Sequence, residues 1–180
     1  IESMGNLLQA QGKLSEAEQY RSEALEKKRR LLGEDHPETL TSIINMGALL
    51  NAQGKPSEAE LYMREALEKC RRMLGDEHPD TLSAIVNLGN LLLAQHKFIE
   101  AVGLLASAEP AARSVFTESN SLWLGRLLIN LGKARAGLKE FAAAEANLLE
   151  AQSIFVATRG SAHKDTRDCT QALVDLYVAW

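Results

Sequence analysis

Residues 31–72 read LLGEDHPETLTSIINMGALLNAQGKPSEAELYMREALEKCRR, and residues 73–101 say nearly the same again as MLGDEHPDTLSAIVNLGNLLLAQHKFIEA. Anchored on the glycine that follows Met or Leu, the copies fall at Gly5, Gly47, Gly89 and Gly132, a period of 42, 42 and then 43 residues. A fixed period of this length marks a stacked array of supersecondary units, each burying its apolar face on its neighbours. Fold and function therefore have to be read from one unit and then from what the units share.

Within one unit, Leu40, Ile43, Met46, Leu49 and Leu50 recur at intervals of three and four, the spacing of a helix with one buried stripe. Pro37 suits the first turn, where its missing N–H has no intrahelical partner, and Glu38 places negative charge at the positive end of the helix dipole. The period breaks at Gly54 and Lys55 and restarts at Pro56, with Ala59, Met63, Ala66, Leu67 and Cys70 as the second stripe and Gly75 as its stop. A link this short makes the two helices antiparallel. The same pattern predicts helices A and B over 4–11 and 14–32, 37–53 and 56–74, 79–95 and 98–116, and 120–137 and 141–158, with an unpaired helix over 163–180 as a cap. The whole of 1–180 then reads as one solenoid domain, with repeats at about 1–32, 33–74, 75–116 and 117–160, cut from a larger protein. Pro110, inside the third B helix, predicts a kink or an early end there.

Equivalent positions form ladders. Ile1, Ile43, Ile85 and Leu128, then Met4, Met46, Leu88 and Leu131, then Leu8, Leu50 and Leu92 are expected to be core. The glycines at 5, 47, 89 and 132 and the alanines at 17, 59, 101 and 144 are the small residues that close approach of two helices requires.

Composition narrows the function. Apolar residues at 46% and charged residues at 24%, with only 5% aromatic, suit an Ala- and Leu-rich helical protein. The net charge of −4 comes from 20 basic and 24 acidic residues spread along the chain, which disfavours nucleic acid and anionic membrane as partners. There is no apolar run of membrane-spanning length and no signal-peptide pattern at residues 1–10, so a cytoplasmic location is expected. Cys70 and Cys169 lie in different units, beyond disulfide reach, and read as free thiols. His36, His78 and His163 occupy equivalent linkers. Helices packed about 8–10 Å apart cannot bring such imidazoles onto one ion with ligands at about 2 Å, so linker or cap roles are expected and no metal. No nucleophile with its base, phosphate loop or acid pair stands out, so neither catalysis nor a cofactor is expected. The run Lys27, Lys28, Arg29, Arg30 follows Glu23 and Glu26 by one turn, predicting ion pairs along the helix.

These residues resemble the tetratricopeptide repeat. That pattern asks for a small eighth residue, an apolar or aromatic eleventh, and alanines at the twentieth and twenty-seventh. They stand here as Gly47, Leu50, Ala59 and Ala66, then Gly89, Leu92, Ala101 and Ala108. The longer period, the linkers LGEDHPETL and LGDEHPDTL, and an asparagine two residues before the small position are similar to the 42-residue kinesin-light-chain-like branch. The fourth copy departs, with Arg135 on a leucine ladder and no HP linker.

The resemblance implies an all-α, right-handed superhelix of four hairpins plus a C-terminal capping helix, whose inner helix-A face holds a peptide. On that face it points to Asn45, Asn87 and Asn130 at the sixth position, Asn6, Asn90 and Lys133 at the ninth, and Thr41, Ser83 and Arg126 one turn before the sixth. An amide carries both a donor and an acceptor, so it can pair with any extended backbone. The alternative is that these asparagines tie one helix to the next. Arg126 and Lys133 favour a ligand with an acidic residue, while Asp168 and Asp175 on the last helix oppose it. Two functions remain. One is a non-catalytic module binding a peptide segment of a partner protein, as a monomer or weak homo-oligomer; the other is a structural or self-associating arm of a larger signalling protein, such as a bacterial kinase.

Overall fold

A computed structural model describes residues 2–117 and 121–180 of the chain. Ile1, at the head of the first ladder, and Asn120, the expected start of the fourth A helix, lie outside the described residues. Among those described, the regular structure is nine α-helices and no strand, in two compact units, residues 1–75 and 76–180. The first unit holds α1 (Glu2–Ala10), α2 (Leu14–Leu32), α3 (Pro37–Ala52) and α4 (Pro56–Leu74). The second holds α5 (Pro79–Ala94), α6 (Phe98–Val115), α7 (Ser121–Gly137), α8 (Phe141–Arg159) and α9 (Lys164–Ala179). None of these helices is long and apolar enough to cross a membrane.

The linkers explain where the A helices begin. His36 holds an extended backbone and its Nδ1 accepts the Glu38 N–H at 3.2 Å, capping α3; His78 does the same for Asp80 and His163 for Asp165, at 3.2 and 3.1 Å. Thr39 Oγ1 donates to Gly33 O at 2.8 Å, and Thr166 repeats that bond to Gly160 O at 2.8 Å, so the last helix keeps the linker chemistry without the proline. At the tip of the second hairpin, Gly54 takes φ of 74°, a left-handed conformation that glycine adopts at no steric cost. His96 and Lys139 hold the same place in the third and fourth hairpins, at φ of 57° and 63°, with side chains that make this conformation costly.

In the first unit α2 lies between α1 and α3, and α4 packs on α3, closing two core clusters: Leu25, Leu40, Ile43, Ala66 and Cys70, and Leu8, Ala17 and Leu49. In the second, α6 and α7 pack together, α8 pairs with α7, and α9 closes on α8 and α7. The alanines at 17, 59, 101 and 144 are all fully buried. Both cysteines are buried, and neither forms a disulfide among the described residues.

Three expectations change. Met4 is 44% exposed although its register mates Met46, Leu88 and Leu131 are buried, because α1 packs principally on α2 and has no helix on its other side among the described residues. Of the two outcomes expected at Pro110, the early end does not occur: α6 runs on to Val115, with the proline on the exposed side, where solvent can take up the carbonyl it leaves without a partner. In the basic run, Lys27 pairs with Glu23 at 2.6 Å as expected, but Glu26 takes no part. Arg29 instead reaches Glu65 on α4 at 2.7 Å and Glu34 in the linker at 3.2 Å, where Lys69 joins them, tying the two hairpins of the unit.

Candidate functional site

The helix-A faces of each unit carry a cavity. In the second unit, one of about 260 Å³ opens among α5, α7 and α9, with Phe155 of α8, Val86 and Ile129 contributing apolar surface. Its polar lining is Asn87 and Asn90 from α5, Arg126, Asn130 and Lys133 from α7, and Asp165 and Asp168 from α9. Residues three and four apart share one helix face, which is why α5 offers two amides and α7 two cations in the same direction.

These groups differ in how far they are already committed. Asn130 is 7% exposed and its Nδ2 donates to Val86 O at 3.2 Å, so its amide ties α7 to α5. Asn87, half-buried, and Asn90, exposed, make no side-chain hydrogen bond among the described residues. Arg126 lies over the Trp123 ring at 5.1 Å and 4.0 Å from Asp165, while Lys133 and Asp168 are exposed and in no ion pair among the described residues. Behind the cavity, Cys169 Sγ donates to Leu148 O at 3.2 Å, and burial, tempered by the nearby Lys133 charge, pushes the thiol up to about 11. That thiol is not a nucleophile at neutral pH.

In the first unit a cavity of about 90 Å³ brings together Asn6, Thr41 and Asn45 with Arg21, Ala24 and Ser42. Arg21 reaches in from α2. Its Nη1 donates to Asn45 O at 2.6 Å, and its Nη2 to Asn6 Oδ1 at 3.0 Å and Gln9 Oε1 at 2.6 Å. Asn6 is thereby engaged, and Thr41 Oγ1 donates back to Pro37 O at 3.0 Å, leaving the Asn45 amide as the uncommitted one.

Of the residues singled out in the sequence, Asn6, Thr41 and Asn45 share one cavity and Asn87, Asn90, Arg126, Asn130 and Lys133 the other; Ser83 is half-buried and lines neither. The acid facing the cations beside Asp168 is Asp165, not Asp175, which accepts from Gln171 on its own helix at 2.8 Å. Sequence reading missed Arg21, Asp165 and Phe155. Arg21 was detectable: it stands sixteen residues after Gly5, where the other copies have Met63, Leu105 and Leu148. Among the described residues no group of three His, Cys, Asp or Glu could hold a metal.

Residues 1–72 match the tetratricopeptide repeat family model. The fold resembles the crystal structure of BtubC (BKLC) from P. vanneervenii, with a TM-score of 0.79 at 24% identity over 88% of this chain and 63% of that one. It also resembles a putative kinesin light chain from Podosopora anserina with nearly identical TPR-like repeats, with a TM-score of 0.80 at 21% identity over 99% of this chain and 84% of that one. A MamA RS-1 double mutant matches less closely, with a TM-score of 0.60 at 17% identity over 98% of this chain and 92% of that one. No curated protein matches the chain. The fold is thus that of an all-α tetratricopeptide-repeat array, the repeat being carried in sequence by residues 1–72. The putative kinesin light chain of Podosopora anserina is one of the solved structures whose fold it follows over nearly its whole length. Arrays of this class are protein-interaction or scaffold modules.

Proposed function

We propose that the chain is a non-catalytic interaction module whose helix-A faces hold an extended segment of a partner protein. The observation that carries this reading is the cavity of the second unit. Two uncommitted amides, Asn87 and Asn90, stand one turn apart beside two cations and over an apolar floor. At about 260 Å³ it falls short of the roughly 300–1,000 Å³ usual for sites that enclose a small molecule, and suits a side chain or two with their backbone. In the first unit Asn45 is the group available for the same use, with Asn6, Thr41 and Arg21 holding its surroundings. The test is a titration of a captured partner against the Asn87→Ala, Asn90→Ala double variant. Two hydrogen bonds at roughly 0.5–1.5 kcal/mol each predict a loss of about tenfold or more. Unchanged affinity in that variant, with loss instead on altering Leu61 or Ile99 on the outer B-helix faces, would move the site off the helix-A face.

One observation favours a self-associating scaffold as the second reading. The outer face of α9 exposes Val174, Tyr177 and Val178 at 49%, 51% and 84%, a run of apolar surface at helical spacing. A concentration-dependent dimer in light scattering, dissolved by Val178→Lys, would support it.

A further inference from the structure

The cavity of the second unit is electrically divided. Its α7 wall carries Arg126 and Lys133, its α9 wall carries Asp165 and Asp168, and its α5 wall is neutral, with Asn87 and Asn90. Arg126 and Asp165 are 4.0 Å apart and partly satisfy one another, whereas Lys133 and Asp168 face the same space without an ion pair. A sphere of 260 Å³ is about 8 Å across, no wider than the Debye length at physiological salt, about 8 Å, so a charge bound there feels both walls. A purely acidic ligand gains at α7 what it loses at α9, and a purely basic one the reverse. Only a ligand bearing both signs gains at each.

We propose that this cavity selects a partner segment carrying one acidic and one basic side chain close together, the acid directed to Lys133 and the base to Asp168. An extended chain advances about 3.3 Å per residue, so charges that share a space of this width lie within about two residues of each other in the ligand. Asn87 and Asn90 pair with the backbone between them, and Phe155, Val86 and Ile129 receive the aliphatic stems of the charged side chains. Arg126, held over Trp123 and beside Asp165, sets the local field and leaves Lys133 as the cation that engages. The inference rests on the peptide-binding reading of the same site and adds its charge rule.

The test is selection of random peptides displayed on phage against the whole chain, followed by anisotropy titration of the winners. The variants are Lys133→Glu, Asp168→Lys, the two combined, and Asn87→Ala with Asn90→Ala. All four positions are exposed or half-buried, and circular dichroism checks that each variant is folded. The expected result is winners with an acid and a base within two residues. Each single reversal should weaken them about tenfold, and the combined reversal should favour peptides with the two charges exchanged. Winners of one sign only, or winners indifferent to both reversals yet lost in the double asparagine variant, would overturn the charge rule and keep the groove. Winners indifferent to all four positions, or no enrichment at all, would bring down the groove reading and the charge rule with it.

Discussion

Substituting alanine at the four repeated glycines should give four different results, because the room at each is set by the residue sixteen positions later. A Cβ built on Gly132 would lie 2.7 Å from Leu148 Cγ and 3.1 Å from Ala144 O, the branch point of a fully buried leucine and a backbone atom, neither of which can swing aside. On Gly89 it would lie 2.7 Å from Leu105 Cδ2, 2.9 Å from its Cγ and 3.0 Å from its Cδ1, so its three nearest atoms all belong to one side chain. Gly47 meets Met63 at 3.1 Å and Ala59 O at 3.2 Å, and Gly5 meets only Arg21 Cγ at 3.1 Å in close contact. Alanine gains about 0.8–1.0 kcal/mol over glycine in a helix interior, while overpacking costs about 1–3 kcal/mol. Gly132→Ala should therefore lose about 1–2 kcal/mol, Gly89→Ala somewhat less, Gly47→Ala should be near neutral, and Gly5→Ala should gain about 0.5 kcal/mol. With a urea m-value of about 1–3 kcal/mol/M, a loss of 1 kcal/mol moves the midpoint by about 0.3–1 M, well within a denaturation series followed by circular dichroism. Leu105→Met, which gives the third hairpin the unbranched partner found in the second, should recover part of the Gly89→Ala loss. Gly132→Ala at the wild-type midpoint, or a double variant no better than Gly89→Ala alone, would refute the assignment of these contacts.

Two further outcomes follow from the hydrogen bonds and ion pairs. Asn130→Ala should cost roughly 0.5–1.5 kcal/mol in the same assay, since its buried amide ties α7 to Val86, while Asn87→Ala and Asn90→Ala should stay within about 0.5 kcal/mol. The Gln53 amide and then Lys55 hold Glu18 below the ordinary carboxylate value of 4.5, Lys69 does so for Glu34, and Arg113 does so for Glu150. A depressed carboxylate stabilises the fold above its unfolded value and loses that contribution as pH falls through its folded one. The midpoint should therefore fall on the acid side below about pH 4.5, and Glu150→Gln should make that fall shallower, by no more than about 1 kcal/mol for so exposed a pair.

The helices were legible because their causes are local and repeated. Apolar spacing, His-Pro linkers and breaks at Gly54 and Lys55 set the helix ends to within about two residues. The role of each asparagine was not legible from register alone. Asn45, Asn87 and Asn130 share one register, yet only Asn130 spends its side chain on a neighbouring helix, because that depends on which carbonyl the next helix presents. The same limit hid Arg21, an ion on an apolar ladder whose guanidinium turns into the cavity and organises Asn6 and Asn45. It also hid Asp165, which occupies the register of Glu38 and Asp80 but faces Arg126 across a helix pair.

The divergent fourth copy supplies the physical reason that the larger cavity has the floor it has. Where the second and third copies place Leu40 and Leu82 on helix A opposite the small Cys70 and Ala112 on helix B, the fourth places Gly125 opposite Phe155. Volume has moved from one helix to the other, and the exchange is close: a Cβ on Gly125 would stand 2.9 Å from the Phe155 ring. The same hairpin replaces the apolar pair Leu50 and Tyr62 with Arg135 and the buried Asn147, joined by a hydrogen bond from Nη1 to Oδ1 at 2.6 Å, so the polar atoms brought inside find each other. Such compensation lets the copy keep its fold while departing from the pattern. The ring it holds in place is the one that lies beneath the amides of α5 and the charges of α7 and α9. A leucine at 125 would push that ring from its seat and change the cavity without substituting any residue that lines it.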